Sequence, residues 1–421
     1  MSHSTGTATQ DPPLEQTYID QAQLLCQGSE FLPGGVEGLA RQLQQAAREG
    51  KRLNIKLGLD PTRPDLHLGH SVVLRKFKLF QELGHQGILI IGDATAMIGD
   101  PSGRNSTRPP LTNDEIMVNA ETYLAQAGKV IDVDNARIER NSQWLSDINL
   151  EGILKLASKV TVAQILVRED FANRYGAQQP ISLHEFLYPL MQAYDSVMID
   201  ADIELGGTDQ RFNNLMGREL QTAFEKSHRQ GVLLMPLLEG TDGKIKMSKS
   251  YAEHCINLTD TPNDMFGKLM SLPDEMIVRY MKLVGRYTPD EVQQVEAQLQ
   301  AGSNPRDLKA AMAKHVIALY HPPETAEAAE QAFVDQFRNK QIPDDIPEAT
   351  LVVGTAYPLL ALIADQGLAP SKSEARRLID GGGVKLDGEK VADAGFELTG
   401  QAGQHIVLQV GKRKFLKLTF A

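Results

Sequence analysis

Two short apolar segments on either side of an amphipathic stretch constrain the fold of this chain more than any other feature. The segments LNIKLGLDP (53–61) and GILIIGD (87–93) are apolar on both faces, which is typical of strands buried in a parallel sheet. Between them, Val73, Phe77 and Phe80 recur at i, i+4 and i+7, which predicts a helix. Parallel strands need such a crossover connection. The pattern therefore predicts an α/β fold.

The rest of the chain indicates further domains around this unit. The segments 202–213 and 231–250 each return to a strand followed by a polar loop, and QIPDDIPEAT (341–350) has the prolines and acidic residues of a linker. We predict a disordered leader over 1–14, a Rossmann-like parallel-sheet catalytic domain over 15–261 with a helical insertion at about 116–190, an α-helical domain over 262–340, the linker, and a small α+β domain over 351–421.

Composition limits the kinds of partner. The net charge of −11 over 421 residues argues against binding nucleic acid over the whole surface. From Thr350 onward, however, nine Lys/Arg outnumber seven Asp/Glu, and this asymmetry is typical of a nucleic-acid-binding appendage. The two cysteines, Cys26 and Cys255, lie far apart, which argues against a disulfide framework. No segment has the composition of a membrane span or a secretory signal, so we expect a cytoplasmic protein without membrane attachment.

The segment HLGH (67–70) lies where the first strand gives way to the helix. Metal-binding histidine pairs on a helix are usually spaced i, i+4, whereas His67 and His70 are spaced i, i+3 and have no neighbouring cysteine. A helix N-terminus offers free N–H groups to phosphate, and Gly69 lets a flat base approach the backbone. We therefore favour a phosphate site, with two packed surface histidines as the alternative.

The segment KMSKS (246–250) places Lys246 and Lys249 on a loop after a late buried strand. Two ammonium groups on a mobile loop fit the oxygens of a leaving pyrophosphate. A solvated charged loop is the alternative for any single K-x-x-K segment.

Taken together, HLGH and KMSKS resemble the two signatures of the class I aminoacyl-tRNA synthetases in their order and spacing. The segments GLDPTRPDLHLGH (58–70), IGDPSGR (98–104), YPLMQAYD (188–195) and GGTDQRFN (206–213) further resemble the tyrosyl-tRNA synthetases of bacteria. The resemblance runs from about residue 50 to the C-terminus. It implies an enzyme that joins L-tyrosine to tRNA(Tyr) with ATP, which arrives with Mg²⁺ as substrate, and it implies neither a tightly bound cofactor nor a resident metal.

The resemblance also implies roles for individual residues. It assigns catalysis to His67, His70, Lys246, Lys249 and Thr62; ATP binding to Asp60, Gly69, Asp209, Met247 and Ser248; and tyrosine binding to Lys56, Asp100, Tyr188, Gln192, Asp195 and Gln210. Tyr188 and Gln192 are expected to hold the substrate α-ammonium with Asp100, and Asp195 is expected to accept the phenol hydrogen. Gln210 is expected near the substrate carboxylate, Asp209 near the ribose and Thr62 near the outer phosphates.

The residues themselves support part of this assignment. Tyr188, Gln192 and Asp195 are spaced i, i+4 and i+7, so they share one face of a helix whose other residues are apolar. Buried polar groups need partners, and a bound amino acid would supply them. Lys56 departs from the family, which often carries tyrosine there. A lysine can donate to the phenol oxygen but cannot accept from it, so Asp195 becomes the sole acceptor. Pairing of Lys56 with Asp195, or a solvent-facing lysine, are the alternatives.

The end domain contains SKSEARRLIDGGGVKLDGEKV (371–391), with a predicted capping box at Ser371 and a predicted hairpin. It resembles a small RNA-binding domain shared with a ribosomal small-subunit protein. Its predicted RNA-binding residues are Lys372, Arg376, Arg377 and Lys385, and GKRKFLKL (411–418) adds further positive charge. The resemblance also implies a homodimer, with the insertion near 120–180 as the contact.

Three other functions remain open from the residues. A tryptophanyl enzyme would share the fold and both signatures but would differ in the side-chain pocket. A nucleotidyltransferase with H-x-G-H would lack amino-acid-dependent pyrophosphate exchange. A non-catalytic RNA-binding relative would bind RNA without forming an adenylate.

Overall fold

A computed structural model describes residues 12–100, 112–248, 251–337, 346–411 and 414–421 of the chain. It forms two compact units, Met1–Glu330 and Gln331–Ala421. Among the described residues, no helix is both long enough and apolar enough to cross a membrane. The predicted leader over 1–14 lies outside the described residues except for its last three positions.

The first unit is built on a sheet with the strand order β1-β6-β5-β2-β3-β4, counted over the described residues. Strand β1 pairs antiparallel to β6, and the other neighbours pair in parallel. The predicted parallel sheet is therefore confirmed. Its strands are β1 (Glu30–Leu32), β2 (Asn54–Leu59), β3 (Gln86–Ile91), β4 (Arg137–Arg140), β5 (Ile203–Gly207) and β6 (Gly231–Met235).

The sequence did not predict the two edge strands. Strand β4 has the sequence RIER and lies inside the segment predicted as a helical insertion at about 116–190. It is too short and too polar to show a two-residue alternation, and its conformation comes from pairing with β3. The segment is therefore mostly helical, but it also completes the sheet.

Helices cover the sheet and continue beyond it. The helix predicted from the apolar spacing is α3, which begins at Leu68 and buries Phe77 and Phe80 completely. The helices of this part of the chain are α1 (Gln16–Cys26), α2 (Gly35–Arg48), α3 (Leu68–Glu82), α4 (Asp93–Ala96), α5 (Asn113–Ala127), α6 (Ser142–Leu145), α7 (Leu150–Ala157), α8 (Val162–Leu166), α9 (Glu169–Gly176), α10 (Leu187–Met198), α11 (Arg211–Ala223), α12 (Pro262–Met270), α13 (Met276–Leu283), α14 (Pro289–Gln300), α15 (Pro305–Ile317) and α16 (Glu324–Phe337).

The regular elements between Pro262 and Phe337 are all helices, as predicted for this segment. Three of these helices begin with proline after a Thr or Asn cap, at Thr261, Thr288 and Asn304. Proline at the first helical position loses no hydrogen bond, because its N–H would have no partner within the helix. Helices α12 to α15 belong to the same compact unit as the sheet, so the predicted division at 261/262 stays a prediction.

The second unit contains a mixed sheet with the order β10-β9-β12-β13-β7 and a separate β8–β11 pair, counted over the described residues. The predicted hairpin joins β9 and β10, and its turn places Asp387 and Gly388 at positive φ, as a tight hairpin turn requires. The elements are β7 (Glu348–Leu351), β8 (Tyr357–Pro358), α17 (Leu359–Asp365), α18 (Lys372–Asp380), β9 (Val384–Leu386), β10 (Glu389–Lys390), β11 (Glu397–Leu398), β12 (His405–Val410) and β13 (Lys414–Phe420).

The predicted linker over 341–350 extends too far. Residues 341–345 lie outside the described part, but β7 begins at Glu348. This strand pairs in parallel with β13, and the Glu348 carboxylate forms an ion pair with Lys417 at 2.6 Å. A partner almost 70 residues away in sequence decides this conformation.

Candidate active site

The first signature forms the N-terminus of α3, as predicted. His67 occupies the position before Leu68, and its backbone N–H donates to Nδ1 of His70 at 3.1 Å. The two imidazole rings lie 3.9 Å apart, centre to centre. Position 69 has a further reason to be glycine, because a Cβ there would lie 3.0 Å from the His67 ring. The glycine therefore makes room for this histidine.

The second signature lies beside the first. The backbone N–H of Leu68 donates to the Ile256 carbonyl at 2.9 Å, so the segment after KMSKS runs along HLGH. Met247 is buried, and its Cβ would lie 3.8 Å from a Cβ placed on Gly69. Lys246 forms an ion pair with Asp209. Lys249 lies outside the described residues, whereas Ser248 is described and half-buried.

The hydroxyl of Tyr188 contacts one carboxylate, that of Asp60, and is affected by the charge of a second, that of Asp100. This hydroxyl donates to Oδ2 of Asp60 at 2.7 Å, and Oδ1 of Asp60 accepts from Thr95 at 2.9 Å. Burial first, and then the charges of Asp60 and Asp100, raise the pKa of Tyr188 well above its usual value. The hydroxyl therefore stays protonated beside two carboxylates, whose combined charge Arg168 offsets in part. The region around these carboxylates suits a cation such as an α-ammonium group.

Arg168, for which the sequence patterns indicate no role, lies next to Asp100. Its guanidinium donates to Oδ1 of Asp100 at 3.0 Å and to Oδ1 of Asn213 at 3.0 Å. The other oxygen of Asp100 accepts from Nε2 of Gln210 at 2.6 Å. Asn213 also donates to Oε1 of Gln192 at 3.0 Å. The residues predicted for the ammonium and carboxylate of tyrosine thus belong to one hydrogen-bonded chain.

Asp195 lies at another end of the site and is only 3% exposed. Trp144 Nε1 donates to Oδ1 at 2.8 Å, and Asn141 Nδ2 donates to Oδ2 at 3.3 Å. Burial raises the pKa of Asp195 to about 7, while the charge of Lys56 and these two hydrogen bonds oppose the rise. The carboxylate can therefore change charge near neutral pH.

Lys56 differs from the expectations. It is completely buried, so it neither faces solvent nor lines an open pocket. Its Nζ lies 2.9 Å from Oε1 of Glu204, its register partner on β5, and donates to the Gln192 carbonyl and to Oγ of Ser196, each at 2.7 Å. Lys56 therefore pairs with Glu204, and the expected pairing with Asp195 was wrong. The expected contact with the phenol stays a prediction, and the three N–H groups of the ammonium that would make it already meet protein oxygens.

The sequence patterns did not single out Glu204, Trp144, Asn141, Arg168 or Asn213. A partial signal existed for Glu204, because a charge within the apolar strand DIELGG needs a buried partner, although the sequence does not show which residue that partner is. Trp144 and Asn141 follow β4, whose own strand character was not predicted. Arg168 immediately precedes the exposed helix α9 and gave no signal.

The predicted RNA-binding residues lie in the second unit. Lys372, Arg376 and Arg377 are exposed on α18, and Lys385 is half-buried on β9. Ser371 caps the helix by accepting from the Glu374 N–H at 3.2 Å, while the Glu374 carboxylate pairs with Arg377.

The segment GKRKFLKL (411–418) is partly occupied within its own unit. Residues 412–413 lie outside the described part. Lys414 donates to the Leu368 carbonyl at 2.8 Å, and Lys417 pairs with Glu348 at 2.6 Å. These two lysines therefore stabilise the fold of the second unit.

Comparison with known proteins matches both units. Residues 48–338 match the family of class I tRNA synthetases for tryptophan and tyrosine, and residues 358–403 match the S4 domain. A Shewanella oneidensis protein named tyrosine–tRNA ligase is 51% identical over 381 residues, which cover 90% of this chain and 95% of that protein. A Vibrio parahaemolyticus protein named tyrosine–tRNA ligase 2 is 50% identical over 390 residues, which cover 91% and 96%.

The fold is also similar to that of solved structures. A C-terminally truncated mitochondrial tyrosyl-tRNA synthetase of Aspergillus nidulans has a TM-score of 0.62 and 21% identity, covering 76% of this chain and 94% of that chain. The predicted fold class is therefore confirmed, with a parallel-sheet catalytic part and an S4 domain after it. On the extent and identity of these matches, the chain belongs to the class I aminoacyl-tRNA synthetases, within the tyrosine–tRNA ligase family.

Proposed function

We propose that this protein activates L-tyrosine with ATP, releasing pyrophosphate, and then transfers the tyrosyl group to the 3′ end of tRNA(Tyr). The family and the bacterial relatives named tyrosine–tRNA ligase favour tyrosine over tryptophan. The observation that carries the proposal is the buried Asp195 carboxylate, held by Trp144 and Asn141. Each oxygen keeps acceptor capacity beyond these bonds, so the carboxylate can receive a phenol hydrogen.

The other end of the substrate fits the anionic region. Asp60, Asp100 and the Tyr188 hydroxyl surround a position suited to the α-ammonium group. Gln210 donates to Asp100 and would lie near the substrate carboxylate. The site thus offers carboxylates to both ends of tyrosine, Asp60 and Asp100 to its ammonium group and Asp195 to its phenol hydroxyl.

Positioning and charge stabilisation account for activation. The substrate carboxylate attacks the α-phosphorus of ATP in line, and pyrophosphate leaves without a protein nucleophile. His67 and His70, at the N-terminus of α3, hold the phosphates together with Thr62, because helix N-termini attract anions. Lys246, and Lys249 outside the described residues, stabilise the departing pyrophosphate. Mg²⁺ arrives with ATP as part of the substrate.

The Lys246–Asp209 ion pair suggests how the nucleotide engages the second signature. Asp209 is the residue assigned to the ribose, so a ribose bound there would compete with Lys246 for the carboxylate. The displaced ammonium would then be available to the phosphates. ATP binding and the recruitment of Lys246 are thus coupled through one carboxylate.

Selectivity follows from the buried acceptor. Phenylalanine would leave Asp195 without its substrate partner, and a buried polar group left unpaired is costly. Tyrosyl enzymes are themselves the example from which the size of this rejection is known, on the order of 10⁵.

Pyrophosphate exchange tests the proposal. Purified protein is incubated with ATP, labelled pyrophosphate and each amino acid in turn. We expect exchange with tyrosine alone, followed by charging of tRNA(Tyr). Exchange with tryptophan would overturn the pocket assignment, and no exchange with any amino acid would contradict enzymatic activity.

The location and the RNA partner are part of the same proposal. We place the protein in the cytoplasm, where tRNA is charged in bacteria. The S4 domain supplies the exposed basic residues of α18 for tRNA.

We also propose a homodimer formed through the insertion. Nine of the large apolar side chains that are exposed in the described residues fall between 117 and 183, a density that marks an interaction surface. These nine side chains are Met117, Val118, Leu150, Ile153, Leu154, Val162, Val167, Tyr175 and Leu183.

In such a dimer, one subunit would hold the tRNA that the other charges.

Light scattering tests the dimer. Replacing Leu150 and Leu154 on α7 by Arg should yield monomers with reduced charging activity, because two exposed apolar groups become charged. Leu24→Arg on α1, also exposed but outside the insertion, is the control and should remain dimeric. A fully active wild-type monomer would contradict the proposal.

A further inference from the structure

A pair of opposite charges lies at the centre of the first sheet, sealed from solvent. Lys56 on β2 and Glu204 on β5 are register partners, and their side chains are 0% and 2% exposed. Taking two charges out of water is expensive, and a well-packed apolar pair is often at least as stable. Stability alone therefore does not explain this pair.

The contacts of Lys56 lead to one helix. Besides Glu204, its ammonium donates to the Gln192 carbonyl and to Oγ of Ser196, which lie one turn apart on α10. An ammonium has three N–H groups, and three protein oxygens already surround it. Lys56 thus holds α10 at the turn that carries Gln192.

The contacts of Glu204 lead to the same residue. Its Oε1 accepts from Nε2 of Gln192 at 3.3 Å, and its Oε2 accepts from Ser196 at 3.2 Å and from Gln230. Only the nitrogen end of the Gln192 amide can donate to a carboxylate. Nε2 of Gln192 also donates to Asn214 at 3.1 Å, so the nitrogen end of the amide faces Glu204 and Asn214. Oε1 of Gln192 faces Asn213, which Arg168 links to Asp100 at the position proposed for the substrate ammonium.

We infer that Lys56 and Glu204 are positioning residues that act on tyrosine through Gln192: they hold its backbone and keep its amide oxygen on the side of Asn213, where its second lone pair can meet the substrate ammonium. The inference rests on the proposed function and deepens it. It assigns Lys56 no contact with the phenol, because its three N–H groups already meet protein oxygens.

The pair also affects the phenol end through charge. The charged groups that face Asp195 are Lys56 from β2 and Glu204 from β5, and Trp144 and Asn141 are its hydrogen-bond donors. Lys56 lowers the pKa of Asp195, whereas Glu204 raises it. Because the two effects oppose each other, removing one charge should shift the titration of Asp195, and removing both should largely restore it.

A cycle of variants tests the inference through pyrophosphate exchange as a function of pH. The variants are Lys56→Met, Glu204→Gln and the double variant, and the pH midpoint of kcat/KM for tyrosine is measured for each. We expect the midpoint to move up in Lys56→Met, to move down in Glu204→Gln and to return close to the wild-type value in the double variant. Opposite shifts would show that both side chains are charged and act on Asp195, which a role in packing alone would not produce. The positioning of Gln192 is measured separately, by the affinity for ligands that share the ammonium group.

Phenylalanine, used as a competing ligand, separates the two ends of the substrate. Well above the midpoint, the double variant should bind tyrosine and phenylalanine more weakly by a similar factor, about tenfold, because both share the ammonium group; tenfold corresponds to about 1.4 kcal/mol. Their affinity ratio should stay near the wild-type value.

The double variant removes both charges of the pair, so neither is left buried without the other, and the test stays informative if a single variant does not fold. A loss of the tyrosine–phenylalanine ratio in the double variant would show direct contact with the phenol and overturn the inference. Unchanged affinity for both ligands would overturn it too. Failure of wild-type exchange would instead refute the proposed function.

Discussion

At the residue scale, Asp195 is the side chain on which tyrosine recognition depends most. In Asp195→Asn, the phenol hydrogen loses a charged acceptor, and a hydrogen bond to a charged group contributes about 1.5–3 kcal/mol. We expect kcat/KM for tyrosine in pyrophosphate exchange to fall by about 10- to 150-fold. Competition by phenylalanine, which has no hydroxyl, should change much less. Equal losses for both ligands would assign Asp195 a general structural role.

The same residue predicts a pH dependence. The pKa of Asp195 is raised to about 7, so the carboxylate is ionised above this pH and protonated below it. Only the ionised form is a full acceptor for the phenol. Below pH 7, kcat/KM for tyrosine should therefore fall about tenfold per pH unit, as the ionised fraction does. The inhibition constant of phenylalanine is the control, and a parallel change in it would point to another group.

At the scale of the element, helix α11 can pack closely against the side chains of Glu204, Ser196 and Gln230 because position 217 is glycine. A Cβ on Gly217 would lie 2.6 Å from Nε2 of Gln230 and 2.9 Å from Oγ of Ser196. We expect Gly217→Ala to lower the free energy of unfolding by about 1–3 kcal/mol, which is typical of overpacking, and to weaken tyrosine binding. Urea denaturation and pyrophosphate exchange measure the two effects.

Gly267 on α12 provides the matched control for this change. It is also helical, but a Cβ there would meet nothing within 4 Å. Gly267→Ala should therefore stabilise the protein by about 0.4–1 kcal/mol, because it restricts the unfolded chain. If both variants lost stability equally, close packing at Gly217 would not be the cause.

At the scale of the whole molecule, the two units are expected to divide the reaction between them. Replacing Lys372 and Arg376 on α18 by Glu removes two exposed positive charges from the second unit. We expect the KM for tRNA(Tyr) to rise at least tenfold and the salt dependence of tRNA binding to weaken, since fewer phosphates are neutralised. Pyrophosphate exchange needs no tRNA, so it should be unchanged in the same variant. A matching loss of exchange would contradict this division.

The sequence alone determined the features that depend on local order. Apolar periodicity predicted β2, α3 and β3, and the helical spacing of Tyr188, Gln192 and Asp195 placed them on one face of α10. The two signatures indicated the family because their letters and order carry chemistry that short segments can encode. The Asp387–Gly388 hairpin was likewise predictable, since a tight turn depends on its own two residues.

Only the tertiary structure decided which side chains meet across strands and helices. Strand β4 became a strand through its pairing with β3, and this pairing places Trp144 and Asn141 against Asp195. Lys56 was expected at the phenol, but strand register set Glu204 opposite it. A charge buried in a sheet must find its partner among residues far away in the chain, and the register that brings them together belongs to the fold as a whole.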